Sequence, residues 1–388
     1  MYLSKLASEA GANILQVLET RRIQLAANGM DIINLSAGTP DRPPAEHVMQ
    51  AIFHASSNHE NYKYTLIDPP ALTNAVQNWY KKRYETELSG EEILSIYGSQ
   101  EGFAHIFHVL CDPGDLVIAG TPGYPIFFYG PLMANAQIYR TPLLPENGFL
   151  IDFEKIPENI AKKARVIIVN YPSNPLGAVA NRNFYEKLIA FAKQYDIAVI
   201  HDNAYSEFVH DGPPAGSFLA IPGAKDVGIE FNSLSKSYNL TGLRISFVLG
   251  NKQIINAFRK LRTNIDYGLS SLDHAAAIAA LSGPQDVVEQ NRCAYRERRN
   301  AFCSALIKNG WNVPMTPASM FTWFPLPEHL KSISSEQFCM NLLEKTGVIC
   351  VPGSSFGEGG EGWLRFALIQ PPERLEEAAE RIGKFICA

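Results

Sequence analysis

Five short apolar runs constrain this chain more than any other feature: LVIAG (116–120), RVIIVN (165–170), IAVIHD (197–202), VGIEFN (227–232) and ISFVLG (245–250). Each is apolar at successive rather than alternate positions, a pattern that suits a strand covered on both faces. Helical stretches such as 181–195 lie between them. Buried strands alternating with helices predict a three-layer, doubly wound α/β domain around a mostly parallel sheet. Ahead of these runs, Phe103, Ile106, Phe107 and Leu110 fall at i, i+3, i+4 and i+7, one helix face, and CDPGD closes that helix. A strand–turn–helix unit is therefore expected over about 93–111.

The flanks read differently. Residues 13–28 have the pattern of an amphipathic helix ending near Gly29, and DIINLSAGTPDRPP reads as a short strand entering a Gly/Pro-rich turn. After about residue 283 comes a long polar helix, then strand-like MFTWFPL and WLRFALI, and a closing helix over 372–386. The expected division is an N-terminal arm with part of a small domain (1–40), a large domain (41–283) and a small α+β domain (284–388).

Composition removes several classes of partner. With 34 basic and 39 acidic residues, a net charge of -5 and no long basic run, the chain lacks the electrostatic footprint of a nucleic-acid binder. Cys111, Cys293, Cys303, Cys339, Cys350 and Cys387 are scattered, without C-x-x-C pairs or zinc-ligand spacing, so neither a disulfide frame nor a metal site is expected. MYLSKLASEAGANILQ shows no signal pattern, and AAAIAAL (275–281) is too short to span a bilayer. A cytoplasmic protein with small-molecule partners, and none in a membrane, is the expectation. His105 and His108 stand at i, i+3 with no carboxylate evident beside them and read as ordinary helix residues. GEGGEG (357–362) fits G-x-G-x-x-G but follows no strand, so it reads as a loop, and RCAYRERRN reads as a solvated helix face.

The chemistry lies where the apolar runs end. Each terminates in a polar cluster: SQEG, TPGYP, NYPSNP, HDNAY and NSLSKS. In open α/β sheets that edge forms one ligand-binding crevice. GSQE (98–101) opens a helix whose free N–H groups suit a phosphate, and Ser233, Ser235 and Arg244 add hydroxyls and a forked cation. Singly, these are N-caps and a surface arginine; together they point to an anion. Asp202 ends a buried run and needs a partner. Placed with Tyr205, it suits a planar ring bearing a protonated nitrogen and a hydroxyl, with Tyr124 to stack on the ring and Asn174 to donate to the hydroxyl. In isolation Tyr124 and Asn174 read more readily as a core tyrosine and a turn asparagine than as ligands of a ring. Lys236 supplies an amine able to condense with an aldehyde. Aldehyde, ring nitrogen, ring hydroxyl and phosphate together describe pyridoxal phosphate.

These residues resemble the fold-type I pyridoxal-phosphate aminotransferases of class I/II, nearest to the LL-diaminopimelate and aspartate aminotransferase-like subgroup. LSAGTPD, YGSQEG, TPGYP, NYPSNPLGAV, HDNAYSEFVHDG, NSLSKSYNLTGLR, VPGSSFG and WLRFAL occur in the expected order over essentially the whole chain. The resemblance implies that Lys236 carries the internal aldimine and Asp202 pairs with the pyridinium. It implies that Tyr205 and Asn174 bind the ring hydroxyl, that Tyr124 stacks, and that Ser99, Gln100, Ser233, Ser235 and Arg244 surround the phosphate. Arg365 would clamp the substrate α-carboxylate with the Gly38 backbone close by. In a homodimer, Tyr64 would reach the neighbour's phosphate and Asn264 its substrate. The implied activity is ping-pong transfer of an amino group between an L-amino acid and a 2-oxo acid, with Lys236 shuttling the proton.

The chain departs from that subgroup at its substrate wall. SQEG replaces the usual SKEG, so Gln100 stands where a lysine often meets a distal acidic group. YTLIDPPALT puts Asp68, Pro69, Pro70 and Thr73 where a glycine and an arginine are common, in a loop expected to border the substrate. Asn13 replaces a loosely aligned tyrosine, and GLR replaces G-W-R. These changes weigh against diaminopimelate or a dicarboxylate and toward a neutral or aromatic side chain. A β-lyase, decarboxylase or oxidase on the same cofactor is the nearest rival reading, followed by a non-catalytic cofactor-binding regulator; a nicotinamide dehydrogenase lacks its fingerprint.

Overall fold

The computed structural model describes residues 3, 4, 6 and 14–387. Its strands are β1 (Ile33–Asn34), β2 (Ile93–Ile96), β3 (Leu116–Thr121), β4 (Gln137–Pro142), β5 (Ala164–Asn170), β6 (Ala198–Asp202), β7 (Gly228–Ser233), β8 (Ser246–Gly250), β9 (Phe321–Pro325), β10 (Val348–Ile349), β11 (Val351–Pro352) and β12 (Trp363–Ala367). Seven of them form the central sheet in the order β2-β8-β7-β6-β5-β3-β4.

The continuous apolar runs are explained by what each face meets. Along β5, Ile167 and Val169 enter a core shared with helices 70–84, 182–195 and 271–282, while Val166 and Ile168 enter another shared with helices 99–110, 126–133 and 252–262. Side chains alternate across a strand, so covering both faces requires apolar residues at every position. The pairings are parallel except at β8, which runs antiparallel to both β2 and β7. The sheet is thus mostly parallel, as expected, and which strand reverses could not be read from the runs, because a run buried on both faces looks the same in either direction. β4 is a strand the apolar runs did not mark, because it lies at the sheet edge and is polar along much of its length.

A second core gathers Phe302, Leu306, Trp311, Phe324, Phe338, Phe366 and Ile382 around the antiparallel sheet β11-β12-β9 and helices Asp286–Lys308, Ser335–Thr346 and Pro372–Ile386. Leu18, Ile33 and Leu35 from the N-terminal part join this core, and β1 pairs in parallel with β10. The helix expected over 13–28 runs Ile14–Ala27; position 13 lies outside the described residues. No described helix is long and apolar enough to cross a membrane.

Candidate active site

The C-terminal ends of β5, β6 and β7 converge with the N-terminal segment and β12 on a crevice of about 980 Å³. Gly38, Ser99, Gln100, Tyr124, Asn174, Asp202, Tyr205, Ser233, Ser235, Lys236, Arg244 and Arg365 all line it.

Lys236 lies in the one-turn helix Leu234–Ser237 that follows β7, whose start is capped by the Ser233 hydroxyl accepting from the Ser235 N–H at 3.2 Å. Its Nζ donates to the Gly38 carbonyl at 2.5 Å. Burial pushes the amine down to about 8, and the nearby Arg365 and Arg244 cations add to this against the opposing pull of Asp202. Asp202 ends β6, buried, with Oδ1 accepting the Ala204 N–H at 3.3 Å. Desolvation pushes its carboxyl up to about 6, the neighbouring His201 and the Ala204 N–H working the other way. Tyr205 is buried, and burial first and then Tyr124 and Asp202 raise its phenol.

Arg365, on β12, is buried, and burial lowers its guanidinium to about 10. Nη1 donates to Asn174 Oδ1 at 3.0 Å and Nη2 to the Ser36 carbonyl at 2.8 Å. Its guanidinium carbon lies 4.2 Å from the Phe321 ring centroid and 4.9 Å from that of Phe356, so two aromatic faces hold the plane. Its buried Nε has no protein partner. Phe321 also explains Gly38, where an added Cβ would come within 2.9 Å of the Phe321 ring.

At the other end, Gly98 has φ +83°, and an added Cβ there would lie 2.5 Å from Arg244 Nη2, so glycine serves both the turn and the cation. Ser99 begins the helix Ser99–Leu110, and its hydroxyl meets that of Ser246 at 3.2 Å. Tyr124 donates to Gln100 Oε1 at 2.9 Å across the rim.

Tyr64 and Asn264 stand elsewhere. Tyr64 is 81% exposed and edge-on to Tyr267 at 4.8 Å, and Asn264 donates to the Lys260 carbonyl. Within one chain the loop expected to border the substrate lines no part of this crevice. Asp68 and Thr73 line a separate pocket of about 430 Å³ beside Arg262, because Asp68 is tied there by the Ser95 N–H at 2.9 Å and the Ser95 hydroxyl. His105 has a carboxylate after all: Glu101 Oε1, one turn upstream, is 2.6 Å from its Nδ1. Among the described residues, no group of His, Cys, Asp and Glu could hold a metal ion.

The crevice also contains residues that sequence reading missed. Phe321 and Phe356 carried no polar signal. Behind the crevice rather than in its lining, buried Asn170 ends β5 in register with Asp202, four residues before Asn174, and its position at the close of an apolar run was the available clue.

Residues 30–382 match the family described as aminotransferase class I and II. The chain belongs to that family. It is 40% identical over 371 residues to the LL-diaminopimelate aminotransferase of Moorella thermoacetica, covering 95% of this chain and 94% of the relative. The protein of the same name from Aquifex aeolicus is also 40% identical, with 94% of each chain covered. Among solved structures, substrate-bound BacF from Bacillus subtilis superposes with TM-score 0.95 at 34% identity, covering 99% of this chain and 98% of that one. A double mutant of Thermus thermophilus aspartate aminotransferase does so with TM-score 0.92 at 25% identity, covering 99% of each. This class I and II aminotransferase is a pyridoxal-phosphate-dependent transaminase of the fold-type I architecture.

Proposed function

We propose that this aminotransferase holds pyridoxal phosphate in the crevice around Lys236 and moves an amino group from an L-amino acid to a 2-oxo acid by ping-pong exchange. The observation that carries this reading is the joint placement of a desolvated lysine amine, a buried carboxylate and a buried guanidinium with an unpartnered Nε around one cavity. Those residues fit the cofactor. The Ser99 helix start, Ser233, Ser235 and Arg244 are donors for its phosphate, and Asp202 is an acceptor for a protonated ring nitrogen. Tyr205 and the amide of Asn174 suit the ring hydroxyl, and Tyr124 offers a stacking face.

The cofactor supplies an aldehyde that condenses with amines and a cationic ring that accepts the electron pair left at the substrate Cα. The protein's part is proton handling and orientation. Asp202 holds the proton on the ring nitrogen. Lys236 Nζ, with its lowered affinity for a proton, would take one from Cα and return it at the former aldehyde carbon, across the nitrogen from Cα. Arg365 binds the α-carboxylate in a fork, which fixes the Cα–H bond relative to the ring.

For the donor, a neutral or aromatic side chain fits best. Among the described residues of the crevice, Lys236, Arg244 and Arg365 are committed to the cofactor and the α-carboxylate, whereas the outer wall carries Gln100, Glu19 and Glu336. The relatives named LL-diaminopimelate aminotransferase make that compound the essential comparator. The exposed Tyr64, Leu66, Ile67, Ile265 and Tyr267 suit a second copy of the chain, with Tyr64 and Asn264 completing the neighbour's site. We read the chain as a cytoplasmic homodimer with an arm (1–40), a large cofactor domain (41–283) and a small domain (284–388).

A visible spectrum of the loaded protein, recorded with single amino acids and then a 2-oxo acid, tests the reading. Loss of the cofactor's aldehyde-derived band with particular donors, and its return with the oxo acid, supports transamination. Release of ammonia or carbon dioxide without that cycle would replace it with elimination or decarboxylation.

A further inference from the structure

The clamp and the ring-binding strand are joined by one continuous line of hydrogen bonds, and its middle member has no role in the scheme above. Arg365 Nη1 donates to Asn174 Oδ1 at 3.0 Å. The Asn174 N–H donates to Asn170 Oδ1 at 2.8 Å. Asn170 Nδ2 in turn donates to the Asp202 carbonyl at 2.9 Å, with a longer contact to the Pro172 carbonyl at 3.4 Å. Asn170 is buried and directly opposite Asp202 in the β5/β6 register.

We propose that Asn170 is a positioning residue that sets Asn174, and through it the Arg365 clamp, relative to Asp202. The proposal rests on the reading of Arg365, Asn174 and Asp202 given above. The chemistry of the amide explains why this side chain is needed. The two ends to be joined are opposite in kind, a backbone N–H at Asn174 and a backbone carbonyl at Asp202. An amide offers an acceptor and a donor in one rigid plane. A carboxylate lacks the donor, and an apolar residue leaves both buried backbone groups unpaired.

The geometry separates this from ordinary loop support. The loop after β5 has its own ties: the Ser173 N–H donates to the Ala178 carbonyl, and the Ala178 N–H to the Ser173 hydroxyl at 2.9 Å. Those bonds do not involve Asn170, so part of the loop's own hydrogen bonding is independent of it. What Asn170 adds is the alignment of Asn174 with the neighbouring strand. The Asn174 side chain then has its Oδ1 held by Arg365 and its Nδ2 left to face the crevice.

The test is a double-mutant cycle on the full chain with Asn170→Ala, Asn174→Ala and the pair. Two quantities are read in each: the dissociation constant for pyridoxal phosphate, by absorbance titration, and KM against kcat for a donor accepted by the wild type. Asn170→Ala is expected to weaken cofactor binding and raise KM by roughly tenfold, with kcat less affected. The same change made in the Asn174→Ala background is expected to shift either constant by less than about threefold, because the residue it positions is gone. Thermal unfolding accompanies each protein, and Asn170→Ser takes the place of alanine in the cycle if Asn170→Ala does not fold. Effects of the two substitutions that multiply, or an Asn170 variant within about twofold of wild type in both constants, would overturn the proposal. A wild-type protein that takes up no pyridoxal phosphate would overturn the reading of the site itself, and the inference with it.

Discussion

Arg365 and Asn174 face each other across the two halves of the crevice, Nη1 to Oδ1 at 3.0 Å, one from the strand β12 and the other from the loop after β5. The contact fixes the guanidinium while leaving its buried Nε without a partner. A group desolvated to this degree, with its proton affinity lowered to about 10, gains most from an anion that supplies the missing acceptor.

Arg365→Lys should therefore be far from conservative. A lysine keeps a positive charge but loses the planar fork and its stacking between Phe321 and Phe356. Donor KM is expected to rise about 10- to 100-fold, the scale of one or two charge-assisted hydrogen bonds. Steady-state kinetics with a fixed oxo acid check it, and an unchanged KM would remove Arg365 from carboxylate binding.

Lys236→Ala should abolish covalent capture of the cofactor. Borohydride reduction followed by peptide mass spectrometry is expected to place a pyridoxyl group on Lys236 in the wild type and none on the variant. Turnover should fall by about 10³-fold or more, since one group serves as both attachment point and proton carrier. Label found on another lysine of the wild type would refute the assignment.

Gly38→Ala tests how the clamp is floored. An added methyl would sit 2.9 Å from the Phe321 ring, the same ring on which Arg365 lies at 4.2 Å. The ring must shift, costing about 1–3 kcal/mol of stability. Because the guanidinium rests on it, donor KM should rise as well. Thermal unfolding and kinetics measured together would show both effects; a loss of stability with unaltered KM would separate Gly38 from the clamp.

Much of this arrangement was legible in the sequence because polar clusters close strands at one edge of a doubly wound sheet. Lys236, Asp202 and Asn174 meet for that topological reason. What was not legible followed from physics that a linear pattern does not record. The direction of β8 is invisible when both faces are buried, and β4 is an edge strand without an apolar run. Phe321 and Phe356 enter the site by tertiary packing alone. Asn170 looked like the end of a strand, and only its register with Asp202 shows what its amide joins.

Asp202 should make the stability of the cofactor-free chain depend on pH in a definite sense. Its folded-state carboxyl is raised to about 6 from an ordinary value of 3.8, so between these values the folded chain binds more protons than the unfolded one. Stability must then fall as pH rises from about 4 to about 6, and the cost, of order 2–3 kcal/mol, persists above that window. Lys236 acts in a different range: its lowered amine makes stability rise from about pH 8 toward its ordinary value near 10.5. Asp202→Asn should flatten the acid window and raise the unfolding midpoint at pH 7 more than at pH 4. Parallel pH profiles for the two proteins would remove the electrostatic account of Asp202.

Gln100 offers a direct test of donor choice. Its side chain accepts from Tyr124 at 2.9 Å and stands on the outer wall with Glu19 and Glu336, where Arg22 is already paired with Glu19 at 2.6 Å, so a distal carboxylate meets no cation beyond Lys236, Arg244 and Arg365 among the described residues lining the crevice. Gln100→Lys supplies one. A single charge-assisted contact should raise kcat/KM for glutamate and aspartate roughly tenfold relative to leucine and phenylalanine, because discrimination depends on the difference between the two affinities. LL-Diaminopimelate, which carries both charges at its far end, should respond less than glutamate: the added ammonium attracts its carboxylate but repels its distal amine. Single-turnover rates for each amino acid avoid interference from the acceptor. A wild type that already transaminates glutamate or LL-diaminopimelate as fast as leucine would show that another part of the assembled site reads the distal carboxylate, and that Gln100 does not set donor choice.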